Sequence, residues 1–597
     1  MKSQTLFLSL LLGSAAGLHA QNLDFYTTTP LVKALDANGD KALSKDECKA
    51  AAKALLSLDK DKDGVISDVE LGGPGSFPGW TRLQTPVRTI DTDGDLSFSK
   101  KEIAAAPARL ALLDTDKDTT LTQHELADKR VVQMAKRGTG GRRVPPFIQR
   151  LPGGMAEAML NQILNNEKLT EMVMPGDNKK AWKGHLFFTE SNIANDIQVG
   201  STTFLLDDKG KTVHTWTNPR GVPEGASSYL LDNGLLLRQS APGDWLVMEQ
   251  FRVGSHGIVE LVDWDGKVVW EYQRATPGKH VLHHDCEPLP NGNILVLSYE
   301  AIPIDQFKAM GWNPEKARIS GRGADVGNKG KYIWTEKILE LKPDLKTGKT
   351  KVVWEWDATQ HLVQELDPKK PNYGKVAESP ERIDMNYRAI SDALLHINSI
   401  DYHPERKQIV ISSLMNKELY FIDHKSGKIV YRWGNRIVHD PAATEPALIG
   451  GQHDARWLED MPANGGGQLT IHNNHAGTIE GVRGRTMFQL GARYSSVIEL
   501  KLPEFKDGTY GDQPAKVVWE YKAEDPGSWY APFMSGASRL PNGNTLVINS
   551  HNKRIFEVTA KGEKVLDFQF PGMGRMFRAY KIAPNHPALK KLSAYKN

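Results

Sequence analysis

The 597-residue chain has only two cysteines, Cys48 and Cys286. Two thiols cannot build a disulfide scaffold or a cysteine-based zinc site. Beyond the N-terminus no stretch reaches the ~18 uninterrupted apolar residues that a spanning helix needs, so no membrane span is expected. Charge excess is missing too: 75 Lys and Arg against 72 Asp and Glu leave +3. That is too balanced for a nucleic-acid binder on charge alone. What is present is 40% hydrophobic residues, enough for a large core and more than one domain.

Met1-Lys2 is followed by an apolar run from Leu6 to Leu12 and by small residues ending at Ala20. A positive start, a short apolar core and Ala at the cut read as a signal peptide over residues 1–20. The mature chain is therefore expected to be exported, periplasmic or secreted.

Within residues 21–128 an acidic pattern recurs four times. The loops carry Asp36, Asn38, Asp40 and Glu47; Asp59, Asp61, Asp63 and Glu70; Asp91, Asp93, Asp95 and Glu102; and Asp114, Asp116, Asp118 and Glu125. Oxygen side chains at positions 1, 3 and 5, with Glu at 12, form the EF-hand ligand set for Ca2+. The apolar position-8 residues Leu43, Ile66, Phe98 and Leu121 are expected to pair neighbouring loops. Eleven residues separate Glu47 from Asp59, and again Glu102 from Asp114. One compact helix can thus leave one loop and enter the next. Gly occupies position 6 only in the second loop; Lys41, Leu96 and Thr119 stand there in the others. Outside a cell, where calcium is plentiful, such a module reads as structural or docking.

Residues 129–180 read as a basic linker, with Arg142, Arg143 and Arg150 among Gly and Pro, and a helix over about 155–174. From 181 to 597 a strand–turn–strand unit recurs and closes on an aromatic: Trp216, Tyr272, Trp356, Trp433, Tyr521 and Phe568. Asn-Gly turns at 233–234, 291–292 and 542–543 are hairpin signals, because both turn residues tolerate positive φ. Six units of about four strands predict an all-β six-bladed propeller behind a small all-α EF-hand domain, with insertions at 301–332 and 358–394 rimming the channel. Two stacked β-sandwiches account less well for a single repeat.

Three successive units open their inner strand with histidine: His283-His284-Asp285, His396-Ile-Asn398 and Gln452-His453-Asp454-Ala-Arg456. Inner strands line a propeller's axis, so these imidazoles are expected to converge as nucleophile, acid and base, or as metal ligands. The paired Asp285 and Asp454 fit a structural role. Lookalikes fail: Pro343 precedes Gly348-Lys-Thr350 where a P-loop has Gly, Pro290 replaces the Arg of a sulfatase motif, and no H-E-x-x-H occurs.

Together with Trp354-Glu-Trp356 and Ser535-Gly-Ala-Ser-Arg-Leu-Pro-Asn-Gly-Asn544, these segments resemble the secreted aryl-sulfate sulfotransferase (arylsulfotransferase) family over about residues 184–570. The resemblance implies a six-bladed propeller that moves a sulfuryl group from a phenolic sulfate ester to a phenolic acceptor, without a nucleotide cofactor. It implies that His453 is the nucleophile, forming a sulfohistidine, and that His396 and one of His283 or His284 act as acid/base or sulfuryl-binding groups. Family members place Arg after the Ser-Ser that ends the next strand; here Ser412-Ser413 is followed by Leu414. Arg456 or Arg539 is then the candidate cation. Two other readings stand beside this one: a non-catalytic ligand- or protein-binding propeller tethered by the calcium module, and a metal-dependent hydrolase built on the histidines.

Overall fold

The computed structural model describes residues 30–126 and 179–594, except 61, 67–69, 72–84, 93–97, 115, 195–196, 219, 221–226, 243–253, 320–331, 389–392, 459–460, 477–493, 525–528, 532, 551–552 and 570–574. The signal peptide, the linker with its 155–174 helix, and the loop ligands Asp61, Asp93 and Asp95 lie outside the described residues. The chain divides into two compact units, residues 1–168 with 192–200 and residues 169–191 with 201–597.

The N-terminal unit is small and helical. Two eleven-residue helices, Lys45–Leu55 and Lys100–Leu110, are the long elements. Each starts on a Ser that accepts from the backbone of a Glu three residues on, while that Glu reaches back to the Ser. These capping boxes satisfy N–H groups that a helix start leaves unpaired. The same Ser and Glu are positions 9 and 12 of the acidic loops, so ligand pattern and helix start are one feature. Leu35, Leu55, Ile103 and Leu110 are buried in a common core with the position-8 residues.

Loop pairing departs from expectation. Leu43 bridges Leu121 and Ile66 bridges Phe98, so the first loop joins the fourth and the second joins the third. The reason is geometric. A helix of eleven residues holds the loops at its two ends about 16 Å apart, and the two long helices pack together. Each loop then meets a loop from the other helix, not the one at the far end of its own.

The second unit is a six-bladed propeller. Blade 1 contains His185–Ala194, Ile197–Leu206 and Thr212–Asn218, closed on its inner edge by the late strand Arg575–Ile582. Blade 2 runs Ser228–Leu230, Leu236–Ser240, Ile258–Val262 and Val268–Gln273; blade 3 runs His280–Pro288, Ile294–Pro303, Tyr332–Pro343 and Thr350–Asp357, with a short Ala275–Thr276 strand inside it. Blade 4 is Ile397–His403, Gln408–Ser413, Glu418–Asp423 and Ile429–Trp433; blade 5 is His453–Trp457, Leu469–Asn473, Ser496–Lys501 and Lys516–Tyr521; blade 6 is Gly536–Arg539, Thr545–Asn549, Arg554–Val558 and Lys564–Gln569. All pairings within the blades are antiparallel.

The core is divided among the blade interfaces. Leu297, Ile338, Ile400 and Ile411 pack between blades 3 and 4; Phe421, Trp457 and Ile471 between 4 and 5; Leu186, Phe188, Ile548 and Met576 between 6 and 1. Outer-strand tryptophans latch four of the blades to the next by indole N–H donation: Trp216 to Asp263, Trp270 to Thr350, Trp356 to Gly427 and Trp519 to Ala560. In blades 2 and 5 the latch therefore lies two residues before the expected closers Tyr272 and Tyr521, on the same face of the strand. The two insertions pack against each other: Arg318 pairs with Asp384 at 2.7 Å and donates to the carbonyls of Ile437 and Val438.

Candidate active site

Blade-to-blade contacts at the axis position the histidines. The buried Glu336 of blade 3 accepts the backbone N–H of Leu395 and of His396, at 3.3 and 2.6 Å, fixing where blade 4's inner strand begins. Asp285 then accepts the N–H of Ile400, Asp401 that of Trp457, and Asp454 that of Ala537. Each of these Asp residues thus staples its blade to the next, whereas the pattern had suggested a role within the strand pair for Asp285 and Asp454. Inner-strand register slips at the same level in blades 3, 4 and 5. There His284, His396 and Asp454 take positive φ of 50°, 51° and 52°, a conformation uncommon for side-chain-bearing residues and worth attention at a candidate site.

His283, His284 and His396 come together. Nδ1 of His283 lies 2.9 Å from Nδ1 of His284, so one ring donates and the other accepts. The His284 and His396 rings are 4.7 Å apart, and His283 stacks on Tyr299 at 3.6 Å. Gly254 makes room for this: a Cβ there would sit 2.2 Å from the His284 ring, at φ +79°. His453 opens the inner strand of blade 5 and is buried. Its Nδ1 faces the Gly451 carbonyl at 2.8 Å and Asn474 Oδ1 at 3.0 Å. Burial lowers its pKa, against the opposing pull of those two bonds.

Arg456 is not available to a ligand. Its five N–H groups go to Asp454, Glu287, Asp401, Tyr229 and Tyr580. With Arg578, which pairs with Asp285 and donates to both tyrosines, it fills the axis farther along the same strands than the histidines. Arg539 donates to Glu499 and the Pro462 carbonyl, and its Nε is buried with no hydrogen-bond partner among the described residues. The expectation that Arg456 replaces the missing arginine at Leu414 is corrected by its partners: a guanidinium whose five N–H groups all meet acceptors has no donor left. Sequence reading missed Tyr299, Asn474 and Glu336. Only the string His472-Asn473-Asn474-His475, at the end of blade 5's second strand, hinted that polar groups gather there.

Among the described residues the histidine nitrogens do not converge as a metal site; the group that does is Asp114, Asp116 and Asp118, whose oxygens lie within 4.8 Å of one another. Oδ1 of Asp59 and of Asp114, both at loop position 1, is buried without a hydrogen-bond partner among the described residues. Lys41, Gly64 and Thr119 take positive φ at position 6, where the EF-hand loop turns sharply. Burial pushes the Glu102 carboxyl up, but bonds from Thr92 and Ser99 outweigh it and bring it down to about 2. An orphaned oxygen, converging carboxylates and an ionised closing Glu fit a hard cation.

Fold and site together define a β-propeller with an imidazole cluster at one end of a plugged axis, joined to an EF-hand module. Residues 326–569 match the model of the arylsulfotransferase (ASST) family, so the propeller carries a segment similar to that family. Calcium-binding protein A of Dictyostelium discoideum is 30% identical to the chain over an alignment taking in 16% of this chain and 86% of that protein. Among solved structures, a protein of unknown function from Bacteroides caccae aligns with 67% of this chain and 99% of its own, at 12% identity and a TM-score of 0.36. The β-propeller domain of Cps50 (Swd1) from Myceliophteria thermophila aligns with 69% of this chain and 88% of its own, at 11% identity and a TM-score of 0.31. No helix among the described residues is long and apolar enough to cross a membrane.

Proposed function

We propose that this chain is an exported, nucleotide-independent aryl-sulfate sulfotransferase that carries the sulfuryl group on His453. The observation that carries the reading is the state of that ring: buried, kept neutral by burial, and held through Nδ1. Nε2 attacks sulfur, the bond from sulfur to the aryl oxygen breaks, and the departing phenolate takes a proton from an imidazolium of the His283, His284 and His396 cluster, leaving that cluster neutral. The acceptor phenol then attacks the same sulfur, gives its proton to that cluster, and the S–N bond breaks. Sulfuryl transfer, like phosphoryl transfer, is served by positioned donors more than by elaborate covalent chemistry.

The phenolic class of substrate is supported by a pocket of about 310 Å³ beside the site, lined by Lys417, Pro446, Leu448, Ile449 and His475. Aliphatic side chains beside Lys417 and His475 suit an aromatic anion. Lys417 stands three residues past Leu414 on the same turn. The EF-hand loops are read as Ca2+ sites with a structural or docking role; no nucleic acid is among the partners.

The test is incubation with 4-nitrophenyl sulfate, with and without added phenol. Nitrophenolate release that requires phenol, and falls by about 1000-fold or more in His453→Ala, is the expected result. Release without phenol points instead to hydrolysis. No release favours the second reading, a propeller that binds without reacting, which Leu414 and the fully engaged Arg456 also favour.

A further inference from the structure

We propose that Asn474 is a positioning residue that presets His453 to react through Nε2, an inference that rests on the sulfotransferase reading for its consequence but not for its geometry. Asn474 is fully buried just past the strand Leu469–Asn473. Its Nδ2 donates to the carbonyls of Ala531 and Met534, both at 2.8 Å. Carbonyls only accept, so these two bonds fix which way round the amide sits, and Oδ1 is turned toward His453. The loop that supplies them is itself pinned, since Ser495 Oγ donates to the Asn474 carbonyl and accepts the N–H of Ala531.

The consequence follows from counting donors. Nδ1 of His453 faces two groups that only accept, Asn474 Oδ1 at 3.0 Å and the Gly451 carbonyl at 2.8 Å. Nδ1 must therefore carry the proton, and in the neutral ring the lone pair sits on Nε2. The other groups facing the ring do not compete for that proton. Asp454, on the same strand, is committed to Arg456 and to the Ala537 N–H. His472, on the adjacent strand, is pushed down to about 4 by burial and stays neutral. Phe577 presents an apolar ring at 6.2 Å. A backbone carbonyl is common to any residue at 451, so the side chain at 474 is the part of this arrangement that sequence controls.

The experiment is imidazole nitrogen NMR on the whole chain, with His453→Gln to assign the signal, paired with pH–rate profiles. In the wild type we expect the Nδ1–H tautomer. Asn474→Asp places a carboxylate on that proton, and both the titration midpoint and the acid limb of kcat/KM should rise by about one pH unit or more. Asn474→Leu removes the acceptor, and kcat should fall about 10- to 100-fold with KM little changed. If the aspartate variant fails to fold against the Ala531 and Met534 carbonyls, the wild-type tautomer and the leucine variant decide alone. A proton on Nε2 in the wild type, or an unmoved midpoint and rate in the variants that fold, overturns the proposal. The tautomer needs no substrate to be read. An Nδ1–H ring in a chain that transfers no sulfuryl group would sink the sulfotransferase reading and leave the positioning one standing. Transfer lost in His453→Ala alongside an Nε2–H ring would do the reverse.

Discussion

At the scale of single residues, the histidine cluster depends on a residue with no side chain. Gly254 accepts the backbone N–H of His284 through its carbonyl while its Cα lies against the His284 ring. Gly254→Ala puts a methyl into that ring at a φ that L-residues avoid. The ring must leave its place 4.7 Å from His396, and a displacement of that kind costs about 100-fold in kcat/KM. A steady-state assay of the alanine variant checks this; an unchanged rate would remove His284 from the machinery. The histidines themselves were legible in the sequence because they open three repeats in register. Which of His283 and His284 matters was not legible: the inner-strand bulge turns both toward the cluster, His283 onto Tyr299 and His284 onto His396. Asn474 was hidden for a related reason. Its meaning lies in the Ala531 and Met534 carbonyls, about sixty residues away in the chain.

At the scale of elements, the EF-hand module shows a local rule producing a non-local result. The eleven-residue spacing correctly implies one helix between two loops, and that same helix keeps those loops apart. Loop 1 is instead backbone-bonded to loop 4, through Leu43 and Leu121 at 2.9 and 2.8 Å. Ca2+ binding should therefore couple across the module and not along the chain. Glu47→Gln removes the closing ligand of loop 1 and should weaken loop 4 several-fold more than loop 2. Residue-resolved NMR titration with Ca2+ reads this from the backbone amides of Thr119 and Gly64. A loss confined to loop 2 would contradict the observed pairing.

At the scale of the whole propeller, the axis is closed by a buried charge cluster drawn from several blades. Arg456 and Arg578 face four carboxylates, Asp285, Glu287, Asp401 and Asp454. Burial pushes Asp401 up to about 6 against the pull of Arg456, and raises Glu287 well above the ordinary carboxylate range. A carboxyl whose pKa is raised on folding contributes stability that is fully present below its unfolded value near 4 and lost as pH rises through the folded value. The propeller should thus be more resistant to heat at pH 5 than at pH 8. Glu287→Gln keeps an acceptor for Arg456 and Tyr229 while removing one negative charge. It should shrink that difference, as scanning calorimetry at the two pH values would show. An equal or larger difference in the variant would mean that the cluster does not govern the pH response.

The amino-acid sequence by itself determined what is local or periodic. The acidic loops, their capping boxes, the Asn-Gly hairpins, the sixfold repeat and the axial histidines all follow from spacing. Hydrogen bonds within a turn and alternation along a strand leave their mark on neighbouring residues. Only the tertiary structure decided which loops pair, that Arg456 is consumed by acceptors, and which amide orients His453. Those outcomes depend on groups far apart in sequence competing for a limited number of donors and acceptors, and such competition leaves no periodic trace in the chain.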